Sequence, residues 1–407
     1  MKILLAPYGT RGDVQPLVAL GIALRNRGHH VEVNAPDNFK TWIESLGLPF
    51  HPAGIDVESV LREIGDDSRS VRWQLRHVYE DLIPVQFNSL ASTFEDADII
   101  IGASLQFAGP SVAELRHVPY LTAVFCPAAL PSSHHAALPV RWQKLPRIIN
   151  LATWLLTAAG VDLTIRRSLN NGRRRLGLAP ISSPLRHLIS GDGIILAADH
   201  VLAPPPPDLP GNVSKTDAFV LEEAGTLDSD LIAFLNAGSP PIYVGFGSMV
   251  TSDAEQATAA AIEAARFAGC RLIIGSGWTR LGLSQTELPE WCYVVNAVPH
   301  HLLFARCAAV VHHGGAGTTT TAARAGVPQI IVPHVLDQFY WAHRIELLGL
   351  GPKSLPFTRL TPDGLSRRIE ALLEDSSYAR RAATMGHQAR PRDGVADAVS
   401  MIEELAA

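Results

Sequence analysis

The sequence predicts an α/β chain of two doubly wound parallel-sheet units that face one another across a cleft. Three observations predict it. Short apolar runs alternate with helical stretches through both halves, a proline cluster separates the halves, and the apolar run at 307–311 breaks straight into the stretch HHGGAGTTT at 312–320. Alternating strands and helices make parallel sheets, because a parallel strand needs a crossover that a helix supplies. At 407 residues the chain exceeds one ordinary core, so two units are expected.

The elements follow in order. In the first half, 3–6, 31–35, 98–101, 120–125 and 194–197 read as buried strands, with helices over 14–27 and 38–46. Residues 204–207 are four successive prolines, with Pro210 and Gly211 just behind. Prolines have no N–H to give a ladder and stay extended. A surface loop inside one unit would look the same, but the alternation restarts behind them. Strands then fall at 241–246, 272–274, 293–296, 308–311 and 329–332, with helices over 253–267 and 319–325. The expected units are 1–207 and 208–390, with a helical tail in 391–407 placed back against the first unit.

Composition removes several classes of function. An apolar fraction of 47%, a charged fraction of 18% and a net charge of -5 describe a globular chain with large buried sheets and no general attraction to nucleic acid. Cys126, Cys270, Cys292 and Cys307 lie far apart, as reduced thiols of a cytoplasmic protein do. The adjacent histidine pairs at 134–135, 300–301 and 312–313 lack the spacing of a metal site, so no metal is expected. The opening apolar run is too short for a signal peptide, and the run at 148–161 is short for a membrane span, so stable insertion is not expected. Beside that run, Arg166, Arg167, Arg173, Arg174 and Arg175 read as a solvated helix face, with transient contact to an anionic membrane surface as the alternative.

Four loops carry the chemistry. In 312–320, bare N–H groups at a helix start make an anion site, and a phosphate fits it. His and Thr supply further donors there. Gly245-Phe246-Gly247-Ser248 holds the matching place behind another strand and reads as a phosphate contact or a plain tight turn. Asp337 and Gln338 follow the next strand, where they suit neighbouring sugar hydroxyls, or Asp337 caps a helix. Behind the first strand, Gly9-Thr10-Arg11-Gly12-Asp13 lacks the G-x-G-x-x-G of a dinucleotide site. Asp13 there reads equally as a helix cap and as a general base facing the cleft.

Together 9–16, 245–249, 298–300, 312–320 and 337–341 resemble the inverting GT-B glycosyltransferases of family 1, with the strongest likeness to vancomycin-group antibiotic enzymes and sterol glucosyltransferases. The resemblance implies a nucleotide-sugar in the second domain and an acceptor in the first. It implies that Ser248, His313, Gly315, Gly317 and Thr318 line the donor diphosphate, with Thr10 and Arg11 reaching the leaving phosphate. It places Val298 at the nucleobase and Asp337 with Gln338 on the donor sugar, and it makes Asp13 the base. Plant relatives stack a tryptophan on uracil where this chain has Ala297, so Trp278 is the substitute expected.

The expected reaction moves a hexose from UDP-glucose, or else from a dTDP-deoxysugar, to a hydroxyl of a lipophilic aglycone, giving a β-O-glycoside without a cofactor. Trp73, Tyr79, Phe87, Trp142 and Trp154 mix core and acceptor-lining candidates. A monomer or weak dimer is expected. A nucleotide-sugar epimerase and a non-catalytic transferase-like activator are the competing readings.

Overall fold

The computed structural model describes residues 1–60, 71–189, 191–222, 225–247, 254–275, 288–296 and 298–405. It contains two parallel sheets. The first joins β1 (Lys2–Tyr8), β2 (His30–Ala35), β3 (Phe50–Pro52), β4 (Ile99–Ser104), β5 (Tyr120–Val124), β6 (Gly193–Ala197) and β7 (Val213–Thr216) in the order β3-β2-β1-β4-β5-β6-β7. The second joins β8 (Ile242–Gly245), β9 (Leu272–Gly275), β10 (Cys292–Val295), β11 (Ala309–His312) and β12 (Gln329–Ile331) in the order β10-β9-β8-β11-β12. The central strands β1, β4, β8 and β11 are apolar without alternation because both faces are covered. Ile3 and Leu5 of β1 enter one core, and Leu4 with Ala6 enter the core on the opposite face.

Three helices of the first domain matter below: α1 (Arg11–Asn26), α2 (Val71–Ala91) and α3 (Arg147–Arg175). In the second, α4 (Ala316–Ala325) and α5 (Gln338–Leu348) follow β11 and β12, and α6 (Gly394–Leu405) ends the chain. Val395, Ala398, Val399 and Ile402 of α6 are buried in the same core as α1. Glu403 accepts from Arg27 Nη2 at 2.7 Å and meets His29 Nε2 at 3.0 Å.

One sequence expectation is corrected here. The proline run is not the boundary, because β7 lies behind it and pairs with β6 from Ile194↔Val213 to Ala197↔Thr216. Prolines end a strand equally well in a linker and in a crossover loop, so the run could not distinguish the two. The first sheet ends at Thr216, and the second domain's first helix starts at Ser229.

The two domains are held by a buried pair. Asp199, fully buried behind β6, accepts from Arg324 Nε at 2.8 Å and Arg324 Nη2 at 2.7 Å on α4. Asp199 Oδ1 also accepts from Ala218 N at 3.1 Å. Removing one partner of such a pair leaves an uncompensated buried charge and costs about 3–5 kcal/mol.

Candidate active site

Each sheet reverses its winding once, and ligands of such sheets bind outside the carboxyl ends of the strands at that point. In the first domain the reversal lies between β1 and β4, and in the second between β8 and β11. Asp13 follows β1 at the first of these ends, and Gly247 and His313 follow β8 and β11 at the second.

At the first, the chain leaves β1 through Gly9 at φ +149°, where a Cβ would stand 2.3 Å from Asp13 Oδ2. Thr10 is the N-cap of α1 and Asp13 its third residue, so the pair forms a capping box. Asp13 Oδ2 accepts from Thr10 N at 2.7 Å and Thr10 Oγ1 at 3.1 Å. Its other oxygen accepts from Ser104 Oγ at 2.5 Å. Ser104 ends β4 in the left-handed region at φ 59°, where a non-glycine residue is strained. These bonds use three of about four acceptor positions on the carboxylate, which leaves one for an incoming hydroxyl. Burial raises the Asp13 pKa, against the lowering effect of Ser104 and Thr10.

Asp13 therefore does cap a helix, and it also faces the cleft. Thr10 gives its hydroxyl hydrogen to Asp13. Arg11 Nε donates to Gln15 Oε1 at 3.0 Å, while its guanidinium lies 4.6 Å over the Trp42 ring. Arg11 is still close enough to the second domain to lower the pKa of His300.

At the second end, His312 and His313 divide. His312 is buried; its Nδ1 accepts from Gly314 N at 3.1 Å and its Nε2 lies 2.8 Å from Gln329 Oε1. The bond from Gly314 assigns the His312 proton to Nε2. His313 turns the other way. Its ring fills the space of two missing side chains: a Cβ on Gly247 would stand 2.7 Å from its Cε1, and one on Gly315 2.5 Å from its Nε2. Among the described residues, His313 Nδ1 is buried without a hydrogen-bond partner.

Gly315 is the N-cap of α4, with no side-chain cap. The first-turn N–H groups at Ala316, Gly317 and Thr318 therefore point outward without intrahelical partners. A Cβ on Gly317 would meet nothing within 4 Å, so backbone there is approachable. Ser248, Trp278 and Ala297 lie outside the described residues. Val298 leads into the helix His300–Phe304 and packs against the core beneath β8 and β11.

Two histidines without a sequence-derived role join this end. His300 stacks on Phe304 at 4.7 Å, and His334 stacks on Phe357 at 4.1 Å. Burial lowers the pKa of His313 and of His300 to about 4, and of His334 to about 3, so all three are neutral near pH 7. His300 lowers the pKa of His313 further, and His313 acts likewise on His334.

Asp337 precedes α5, yet its side chain does not cap it; Oδ2 accepts from Trp341 Nε1 at 3.2 Å. Gln338 Oε1 accepts from His334 N at 2.7 Å and Val335 N at 3.1 Å, which fixes the turn through Leu336 at φ 51°. Burial and the charge of Asp13 raise the Asp337 pKa to about 7. The two carboxylates are thus within electrostatic reach across the cleft. Among the described residues no group of three or more His, Cys, Asp or Glu could hold a metal ion.

Of the aromatic candidates for an acceptor pocket, the side chains of Trp73 and Tyr79 lie outside the described residues. Phe87 is core, Trp142 is exposed, and Trp154 is buried 6.1 Å from the ring of His135.

Two facing doubly wound domains, with a carboxylate at one switch point and a helix N-terminus at the other, suit a transferase whose leaving group is an anion. Comparison agrees. Residues 3–132 match the glycosyltransferase family 28 N-terminal domain, and 279–405 match the erythromycin biosynthesis protein CIII-like C-terminal domain. Glycosyltransferase GtfC of Amycolatopsis orientalis is 34% identical over 390 residues, covering 95% of this chain and 93% of the relative. The sterol 3-beta-glucosyltransferase UGT80B1 of Arabidopsis thaliana is 32% identical over 424 residues, covering 98% of this chain and 67% of the relative. Among solved structures, the kitacinnamycin glycotransferase shares the fold at a TM-score of 0.75 and 18% identity, over 99% of this chain and 98% of that one. The thymidine diphosphate complex of SsfS6 from Streptomyces sp. SF2575 shares it at 0.67 and 23%, over 99% of both chains. The chain belongs to the GT-B glycosyltransferases.

Proposed function

We propose that this glycosyltransferase moves a hexose from a nucleotide-sugar, UDP-glucose first and a dTDP-sugar second, to a hydroxyl of a lipophilic aglycone. A polyketide, sterol-like or phenolic antibiotic precursor fits that description. The carrying observation is Asp13, held by Thr10 and Ser104 at one switch point, opposite Asp337 and the open α4 terminus at the other.

In the reaction, the acceptor O–H gives its proton to Asp13 as the oxygen attacks the anomeric carbon. The bond from that carbon to the diphosphate breaks on the far side, so an α-linked donor yields a β-glycoside. Negative charge grows on the departing diphosphate. First-turn N–H groups at Gly317 and Thr318, the α4 dipole and His313 would stabilise it more than they stabilise the bound donor. Ser248 would add a hydroxyl to the same group, and Arg11 a charge at its edge. Asp337 and Gln338 would hold the sugar's hydroxyls, while Val298 and Trp278 would flank the base. Donors and a helix dipole suffice for this chemistry without a metal.

Relatives are named for different sugars: a vancomycin aglycone glucosyltransferase at 34% identity names glucose, and a dTDP-epi-vancosaminyltransferase at 32% names a dTDP-sugar. A thermal-shift panel of nucleotide-sugars tests the reading, because a ligand that binds the folded state stabilises it by mass action. UDP-glucose or a dTDP-sugar should raise the melting temperature in a dose-dependent way; a panel with no shift would oppose the proposal. Four free cysteines agree with a cytoplasmic site of action.

A further inference from the structure

We propose that the first domain docks on anionic lipid bilayers through the outer face of α3. The inner face is committed to the protein. Asn150, Trp154, Ile165, Leu169 and Gly172 are buried there, and Phe87 of α2 occupies the place where a Cβ on Gly172 would stand. On the outer face, Ile148, Leu155, Leu156 and Leu163 are exposed by 75%, 74%, 75% and 69%. Single exposed leucines need no explanation, but a contiguous stripe does. From residue 148 to 163 this one runs about 22 Å at the helical rise, longer than one small acceptor covers. Trp142, just before the helix, is 73% exposed, and tryptophan is a residue of membrane interfaces.

Farther along, the stripe turns basic. Arg166, Arg167 and Arg174, with Leu163, Asn170 and Pro180, line an open cleft of about 360 Å³. Its chemical complement is an anionic phosphate headgroup. Arg173 is excluded from this surface by its pairing with Glu114 at 2.8 Å. Residues 139–175 hold eight Lys or Arg and one Asp in a chain of net charge -5. An anionic bilayer thus attracts this segment and repels much of the remainder, which orients the molecule with α3 down.

By length and composition α3 could also cross a membrane. Crossing would strip Trp154, Ile165 and Leu169 from the core, so the helix is assigned to the surface, where an apolar stripe enters the headgroup boundary. The inference goes beyond the transfer reaction and requires no substrate.

Co-sedimentation of the full chain with vesicles tests it. Mixed phosphatidylcholine–phosphatidylglycerol vesicles should bind at least ~10-fold more tightly than pure phosphatidylcholine, and added salt should release the protein. The pairs Leu155→Ser with Leu156→Ser, and Arg166→Glu with Arg167→Glu, should each weaken binding by ~10-fold or more while the thermal melt stays unchanged. The salt titration of the unaltered chain stands even if a variant folds poorly. Equal binding by both variants would overturn the proposal. So would resistance to salt and alkaline carbonate, which marks a span, or a dimer in light scattering that the leucine pair breaks while vesicles bind nothing.

Discussion

Ser104 Oγ donates to Asp13 Oδ1 at 2.5 Å, and this bond ties the end of β4 to the loop that leaves β1. It crosses the point where the first sheet reverses its winding. The left-handed backbone of Ser104 turns the hydroxyl toward the carboxylate, and Thr10 holds the opposite oxygen. A carboxylate fixed from both sides needs little reorganisation when it takes a proton.

Replacing Asp13 by Ala removes the proton acceptor. Turnover should fall roughly 10²–10⁴-fold. Affinity for nucleoside diphosphate, measured by calorimetry, should survive because the phosphate loop lies in the other domain. Full turnover in Asp13→Ala would remove Asp13 from the mechanism.

Ser104→Ala should have a smaller effect with a distinctive signature. The Ser104 bond lowers the Asp13 pKa, so its loss raises it. A base must be deprotonated to act, and the acidic limb of the kcat/KM profile should move to higher pH. A uniform drop in rate with an unmoved limb would mean that Ser104 only supports the fold.

The fold was legible where burial is complete. Runs such as 3–6 and 308–311 are apolar on both faces, and β1 and β11 formed around them. The edge strands β3 and β7, of three and four residues, carry no such run and were missed. Ser104 was illegible because nothing in the sequence marks a left-handed φ or a partner 91 positions away. His300 and His334 were visible as residues, but only the sheet topology brings them beside His313.

Binding of a nucleoside diphosphate should draw protons. His313 and His300 are held neutral, with pKa values lowered to about 4 by burial. An arriving diphosphate favours their charged forms and raises those values, so affinity should increase as pH falls from neutrality. Calorimetry in buffers of different ionisation enthalpy should report net proton uptake at pH 6, lost in His313→Ala. Uptake unchanged by that substitution would place the phosphate elsewhere.

Asp337 sets function against stability. Its pKa is raised to about 7, so the folded state holds a proton there that the unfolded chain releases near pH 4. This contribution is full below pH 4 and is lost as pH rises toward 7. Asp337→Asn carries no charge to bury. It should melt higher than the parent at pH 8, with the difference closing at pH 5, while donor KM rises. A lower melt at pH 8 would show that the Trp341 bond outweighs the burial of charge.

The central claim is a single displacement at the anomeric carbon with Asp13 taking the acceptor's proton. Its most direct test is proton NMR of the glycoside made from an α-linked nucleotide-glucose and a lipophilic acceptor. The account predicts a β-anomeric product with trans-diaxial coupling, formed by the parent and lost in Asp13→Ala. An α-anomeric product, or a β-product made equally well by Asp13→Ala, would contradict it.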